Sequence, residues 1–207
     1  MLPSNKVFLI MGSVRAGRLC PQITDWIETI GRQITPNLTL EIIDLADWHL
    51  PMNDETGIPA LGQYTQHHTI AWSNKIKDAE AIIFITPQFN WGYPAALKNA
   101  IDHLYNEWRN KPAIIITYGG HGGTRCARQL RRIAASLRMR VIPVTPTLML
   151  SDAIIRHGAP LIPEKDFQAS IPQIQKAFKQ LSAILDNQET LLAKLQRNWK
   201  NTISSLS

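Results

Sequence analysis

The chain of 207 residues has no apolar run approaching the ~18–20 residues that a membrane-spanning helix needs, so a membrane protein is not expected. It enters at once into what reads as a strand, Val7–Met11; no export signal is expected, and the cytoplasm is the expected location. Cysteine is scarce. Cys20 and Cys126 form neither a C-x-x-C pair nor a disulfide framework, which fits free thiols in a reducing compartment, where the sequon Asn37-Leu38-Thr39 would stay unglycosylated. There is no low-complexity stretch and no internal repeat.

What is present is an ordinary globular composition: 44% apolar residues, with 11 glycines and 13 prolines spread along the chain. The length suits one domain over residues 1–207. The net charge of +6 is compatible with a nucleic-acid partner, but charge alone speaks to solubility and non-specific association. Arg125, Arg128 and Arg132 line one stripe of a helix whose opposite stripe is Leu130, Ile133, Ala134 and Leu137. A solvated or subunit-facing basic face is the preferred reading, and nucleic acid is not an expected partner.

Short apolar runs recur at Val7–Met11, Leu40–Ile43, Ala81–Ile85, Ala113–Thr117 and Val141–Val144, each too continuous for a strand with one wet face. Between them lie segments of helical period, roughly Pro21–Arg32, Leu61–Asp78, Pro94–Tyr105 and Thr124–Leu137, and a long one follows from Phe167 to Trp199. Alternation of this kind predicts an α/β fold: a doubly wound, five-stranded parallel sheet of flavodoxin-like order 2-1-3-4-5. Ligands in such sheets bind beyond the carboxyl ends of the strands where the order reverses, here strands one and three. Pro143–Pro163, with four prolines, reads as an ordered excursion around the fold or along a subunit contact.

Three loops at that edge carry the chemistry. Gly12-Ser13-Val14-Arg15-Ala16-Gly17-Arg18-Leu19-Cys20 runs from a strand to a helix N-terminus, whose free N–H groups and positive dipole end suit a phosphate. It departs from a Walker A loop, since Arg18 replaces the lysine and Leu19 the metal-binding hydroxyl, and it is not G-x-G-x-x-G. Thr86–Pro94 (TPQFNWGYP) is dense in rings and amides; alone it reads first as a rigid turn with core aromatics, in company as a wall for a flat heterocycle. Thr117–Thr124 (TYGGHGGT) places four glycines just before a helix. Together the loops suggest a phosphate site beside a planar-ring site.

Gly12–Arg15, Thr86–Asp102 (TPQFNWGYPAALKNAID) and Tyr118–Gly123 (YGGHGG) resemble, in order and spacing, the signatures of the NAD(P)H-dependent FMN reductase and quinone reductase family, over roughly residues 5–145. The resemblance implies non-covalent FMN, with NAD(P)H as co-substrate and a quinone or similar small molecule as acceptor. It places the phosphate on Ser13 and Arg15, with Arg18 and Cys20 where some relatives carry a second phosphate-contacting hydroxyl. The ring would lie against Pro87, Gln88, Phe89, Asn90, Trp91 and Tyr93 on one loop and Tyr118, Gly119, Gly120 and Gly122 on the other. A homodimer or homotetramer is implied as well.

The flavin would carry the electrons, so no catalytic side chain is required and a ping-pong cycle is expected. A flavin-based redox sensor of a protein partner stays open as the alternative. His121 has no identifiable partner and is not assigned a proton. His67-His68 have no third ligand in sight, so no metal is expected. Cys126 and Arg132 have the spacing of a cysteine phosphatase loop, yet the intervening ARQLR has no glycine and reads as helix.

Overall fold

The computed structural model describes residues 5–52 and 54–204, with side chains as far as residue 188. Four long strands, β1 (Asn5–Met11), β2 (Leu38–Asp44), β3 (Ala81–Pro87) and β4 (Pro112–Gly119), lie parallel in the order β2-β1-β3-β4. Register is set by pairs such as Val7 with Leu40 and Ala81, and Ile83 with Ile114. Every residue of β3 is buried, as expected where helices cover both faces.

Alternate side chains of β1 feed two separate cores. Val7, Leu9 and Met11 pack with Ile23 and Ile27 of α1 (Cys20–Ile34) and with Phe178 and Leu181 of α7 (Ile171–Ser204). Phe8 and Ile10 pack on the other face with Trp72 of α2 (His67–Lys77), Leu97 of α3 (Ala95–Asp102) and Leu130 of α4 (Thr124–Ser136). Each such side chain contributes about 1.5–3 kcal/mol relative to exposure. The indoles of Trp72 and Trp108 donate to the carbonyls of Ala100 (2.8 Å) and Ile101 (3.0 Å), so two large rings are buried while the C-terminal carbonyls of α3 are satisfied.

The fifth sheet position differs from the single run Val141–Val144. It is shared by β5 (Arg140–Val141) and β6 (Thr147–Met149), both parallel to β4. Pro143 and Pro146 cannot donate to a ladder, so the strand breaks between them. The break is held by Arg131, whose guanidinium donates to Ile142 O (2.7 Å), Pro143 O (3.1 Å) and Thr145 Oγ1 (2.5 Å). Helix α2 starts later than the expected Leu61. Pro59–Leu61 forms a 3-10 turn closed by left-handed Gly62, and the Glu55 carboxylate accepts from the N–H groups of Thr65 (3.1 Å) and Gln66 (3.0 Å) just ahead of the helix. The chain between β6 and α7 is ordered, with short helices α5 (Asp152–His157) and α6 (Pro163–Asp166). Among the described residues no helix is long and apolar enough to cross a membrane.

Close packing of α1 on α7 sets one sharp requirement. A Cβ built on Gly31 would lie 2.6 Å from the Phe178 ring and 2.7 Å from Leu40 Cδ1, and the Phe178 ring is fully buried. Helix propensity alone predicts that Gly31→Ala stabilises by up to ~1 kcal/mol. Overpacking costs about 1–3 kcal/mol and dominates. The variant is therefore expected to lose about 1–2 kcal/mol in urea denaturation, and a gain would show that the helix pair yields.

Candidate functional site

Strands β1 and β3 are neighbours whose following helices leave to opposite faces, α1 to one and α3 to the other, so a crevice opens beyond their carboxyl ends. It is a cleft of about 700 Å³. Gly12 opens the first loop beside β3: its N–H donates to Ile85 O (2.8 Å), and a Cβ there would meet Thr86 Oγ1 and Leu97 Cδ2 at 2.9 Å. Only glycine lets the first loop turn this close to β3.

One end of the cleft is polar. Ser13 is buried at the turn, and the Arg18 N–H donates to Arg15 O (3.2 Å), closing the loop ahead of α1. Helix α1 has no side-chain cap and carries Pro21 in its first turn, so its uncapped N-terminal end, with Leu19 and Gln22, borders the cleft. The Arg15 guanidinium stacks 4.0 Å over the Phe89 ring. Arg18 pairs with Asp44 at the end of β2, while its buried Nε has no hydrogen-bond partner. An anion at this end would meet a hydroxyl, two guanidinium groups and a helix dipole of favourable sign.

The other end is flat and apolar, walled by Pro87 and Phe89 on one side and Tyr118, Gly119 and Gly120 on the other. Gln88 ties the two walls together: its N–H donates to Tyr118 O (2.9 Å), and its side-chain Oε1 accepts from Cys126 N–H (3.1 Å) in the first turn of α4. Among the described residues no carboxylate or histidine lines the cleft, whose polar side chains are Ser13, Arg15, Arg18, Gln22, Gln88 and Tyr118.

Of the residues singled out in the sequence, Ser13, Arg15, Arg18, Pro87, Gln88, Phe89, Tyr118, Gly119 and Gly120 share this lining. Cys20, Asn90, Trp91, Tyr93 and Gly122 stand outside it. Cys20 is buried beneath the first loop, its thiol 3.5 Å from Ile85 O and pushed up in pKa by burial despite a hydrogen bond with Tyr118. Asn90 and Trp91 form the tip of a two-residue turn closed by reciprocal 2.9 Å bonds between Phe89 and Gly92. Both have positive φ (46° and 71°), and Arg125 lies 3.4 Å over the exposed Trp91 ring. Tyr93 packs against the α3–α4 core, and burial raises its hydroxyl to about 12. Gly122 shapes its loop from behind, donating to Gly119 O (2.9 Å) and accepting from Thr117 Oγ1 (2.8 Å).

Cys126 and Arg132 lie on continuous helix α4, and burial raises the Cys126 thiol to about 12. It is not a phosphatase nucleophile. His121 is exposed and outside the cleft lining.

The sequence reading missed a whole wall. Leu150, Ile154, Ile155, Ala159, Pro160 and Leu161 cover the cleft from the Pro143–Pro163 excursion. This wall is fastened by Leu150 N–H to Gly119 O (3.0 Å) and by the Gln22 amide to Leu161 O (2.8 Å). Its local signal was legible: Ser151 caps α5 by accepting from Ile154 N–H, and Gly158 ends it in the left-handed conformation.

Comparison with known proteins names this arrangement. The sequence model of the family described as NADPH-dependent FMN reductase matches residues 5–152. An NAD(P)H-dependent FMN reductase of Schizosaccharomyces pombe is 47% identical over 184 residues, covering 88% of this chain and 91% of that protein. An NADPH:quinone oxidoreductase of Arabidopsis thaliana is 33% identical over 144 residues, 68% of this chain and 71% of the relative. Among solved structures, the flavoenzyme NAD(P)H:(acceptor) oxidoreductase FerB of Paracoccus denitrificans superposes with a TM-score of 0.62 at 21% identity, covering 86% of this chain and 98% of that one, and shares the fold. The chain belongs to the NADPH-dependent FMN reductase family of oxidoreductases.

Proposed function

We propose that the chain binds FMN in the cleft between the β1, β3 and β4 loops and uses NAD(P)H to reduce a quinone or similar small acceptor by a ping-pong cycle. The observation that carries this reading is the division of one 700 Å³ cleft into a cationic end at a helix N-terminus and a flat apolar end with backbone at its rim. The residues present fit the group. The orphaned Arg18 Nε, the buried Ser13 hydroxyl and the Arg15 guanidinium suit a phosphate. The Pro87–Phe89 and Tyr118–Gly120 walls suit a planar ring.

When bound, FMN supplies two-electron chemistry, taking electrons from NAD(P)H and passing them on to the acceptor. The chain's own part is positioning. Ser13, Arg15 and the α1 dipole hold the phosphate. The backbone N–H groups around Gly119–Gly120 favour negative charge on the ring. The apolar wall Leu150–Leu161 excludes water and gives nicotinamide and acceptor a common apolar surface against which they alternate. Cys20, Asn90, Trp91, Tyr93 and Gly122 serve this site by shaping its loops. The family resemblance extends the proposal to a homo-oligomer, supported by the exposed Met52, Ile58, Leu61 and Trp91.

Three measurements test it. The purified protein, reconstituted with FMN, is expected to lose its flavin absorption band on anaerobic NADPH and recover it on quinone addition, with parallel steady-state lines; failure to take up FMN removes the proposal, and intersecting lines remove the ping-pong order. Ser13→Ala deletes a hydrogen bond to a charged phosphate, worth about 1.5–3 kcal/mol, so FMN affinity is expected to fall ~10–100-fold in fluorescence titration, whereas Arg132→Ala on the outer face of α4 leaves it unchanged. Sedimentation of the loaded protein as a monomer at micromolar concentration would remove the oligomer.

A further inference from the structure

A second constellation lies away from the cleft, where three segments remote in sequence meet. Asp54 comes from the chain between β2 and α2, His68 from the first turn of α2, and His103 from the residue after α3. One ligand atom from each lies within 4.8 Å of the others. His67 beside them is exposed and takes no part in the cluster.

The hydrogen bonding of His103 resembles that of an imidazole prepared for a metal. Its Nε2 lies 2.9 Å from Pro51 O, and a carbonyl only accepts, so the proton sits on Nε2. Its Nδ1 therefore carries a lone pair, 3.0 Å from the Thr69 hydroxyl that donates to it. Metal-bound histidines characteristically tie their remaining N–H to a backbone carbonyl in this way, which fixes tautomer and ring orientation. The Thr69 hydroxyl has a second acceptor in the Glu55 carboxylate and can turn to it when Nδ1 is taken up.

The contact between the other two residues is short but is not a hydrogen bond. His68 Nε2 lies 2.9 Å from Asp54 Oδ2, yet His68 Nε2 and Asp54 Oδ1 are both buried atoms without a hydrogen-bond partner. An imidazole nitrogen and a carboxylate brought this close without hydrogen-bond alignment fit atoms that converge on a common cation, because ligand distances of ~2.0–2.2 Å place neighbouring ligand atoms about 3 Å apart. An adjoining cavity of about 210 Å³, lined in part by Asp54, Glu55, Asp102 and His103, offers an acidic approach and room for a water.

We propose that Asp54, His68 and His103 form a three-ligand site for a divalent transition-metal ion. Two imidazoles and one carboxylate favour zinc-like ions over calcium or magnesium, which take oxygen ligands. The site would pin the β2–α2 chain across the ends of α2 and α3, and it shares no residue with the flavin cleft. It stands or falls independently of the FMN reading.

The test is calorimetric titration of the purified full-length chain with Zn²⁺ alone, with Co²⁺ absorption as a second probe and thermal unfolding as a third. One ion per chain, saturable binding, a visible Co²⁺ band of a four-coordinate site and a raised Tm are expected. His68→Gln and Asp54→Asn are expected to weaken binding at least ~tenfold while His67→Gln leaves it unchanged. His103 is buried, so its substitution confounds folding with ligation, and the two partly exposed ligands carry the experiment. Absence of saturable one-to-one binding, unchanged affinity in both ligand variants, or equal loss in His67→Gln overturns the proposal.

Discussion

The structure depends on β1 being hydrogen-bonded on both edges and buried on both faces. Between β2 and β3 it has no free edge, and its alternate side chains enter two cores that never mix. A strand so placed cannot shift register by one residue without exchanging Phe8 and Ile10 for Val7 and Leu9 on opposite faces. Its carboxyl end is therefore fixed relative to that of β3, and with it the width of the cleft. The loop after β1 must then turn within contact of Thr86 and Leu97, a demand that only Gly12 meets. Binding geometry here follows from sheet geometry.

That dependence explains how much was legible in the sequence. Buried parallel strands read as continuous apolar runs, and crossover helices read as amphipathic periods, so order and faces follow from local pattern and chirality. The loops of the cleft were equally readable, because glycine and proline act locally. The parts that escaped depend on partners far along the chain. Gln88 reads as a polar residue in a ring-rich turn, yet its side chain serves the first turn of α4, 38 residues away. Arg131 reads as one more cation on a basic helix, yet it holds together the strand that Pro143 and Pro146 interrupt. His67-His68 read as a pair without a third ligand, with nothing local to bring Asp54 and His103 to His68.

Arginine shows the same division within one residue type. Arg125, Arg128 and Arg132 are exposed along α4, and their stripe reads correctly from helical period alone. Arg15 and Arg18 stand in a loop where period says nothing. One is stacked on Phe89 and the other is paired with Asp44, which leaves a buried Nε unmatched. Burying a guanidinium donor without a partner costs on the order of 1–3 kcal/mol, and a fold keeps that cost where something else offsets it. An anion in the cleft would do so. Net charge could not have distinguished these five arginines; only their positions relative to the sheet do.

The family match and the cleft do not end at the same residue, and the difference has a physical meaning. The match stops at residue 152, whereas the wall runs on through Ile154, Ile155 and Pro160 to Leu161. The loops that border the cationic and apolar ends of the cleft are set by the sheet, whose register leaves them little freedom. The outer wall is held by two bonds, Leu150 to Gly119 and Gln22 to Leu161, by the burial of Leu150 and Leu161 in the first core, and by Ile154 of α5 packed against that core. Between the buried Leu150 and Leu161, the exposed side chains of the segment can change without disturbing either core. Ile155 in particular lines the cleft beside Gly120 and is 49% exposed, so its size alters the opening while the sheet stays as it is. Exposed substitutions in such a segment would reshape the opening while leaving the fold unchanged.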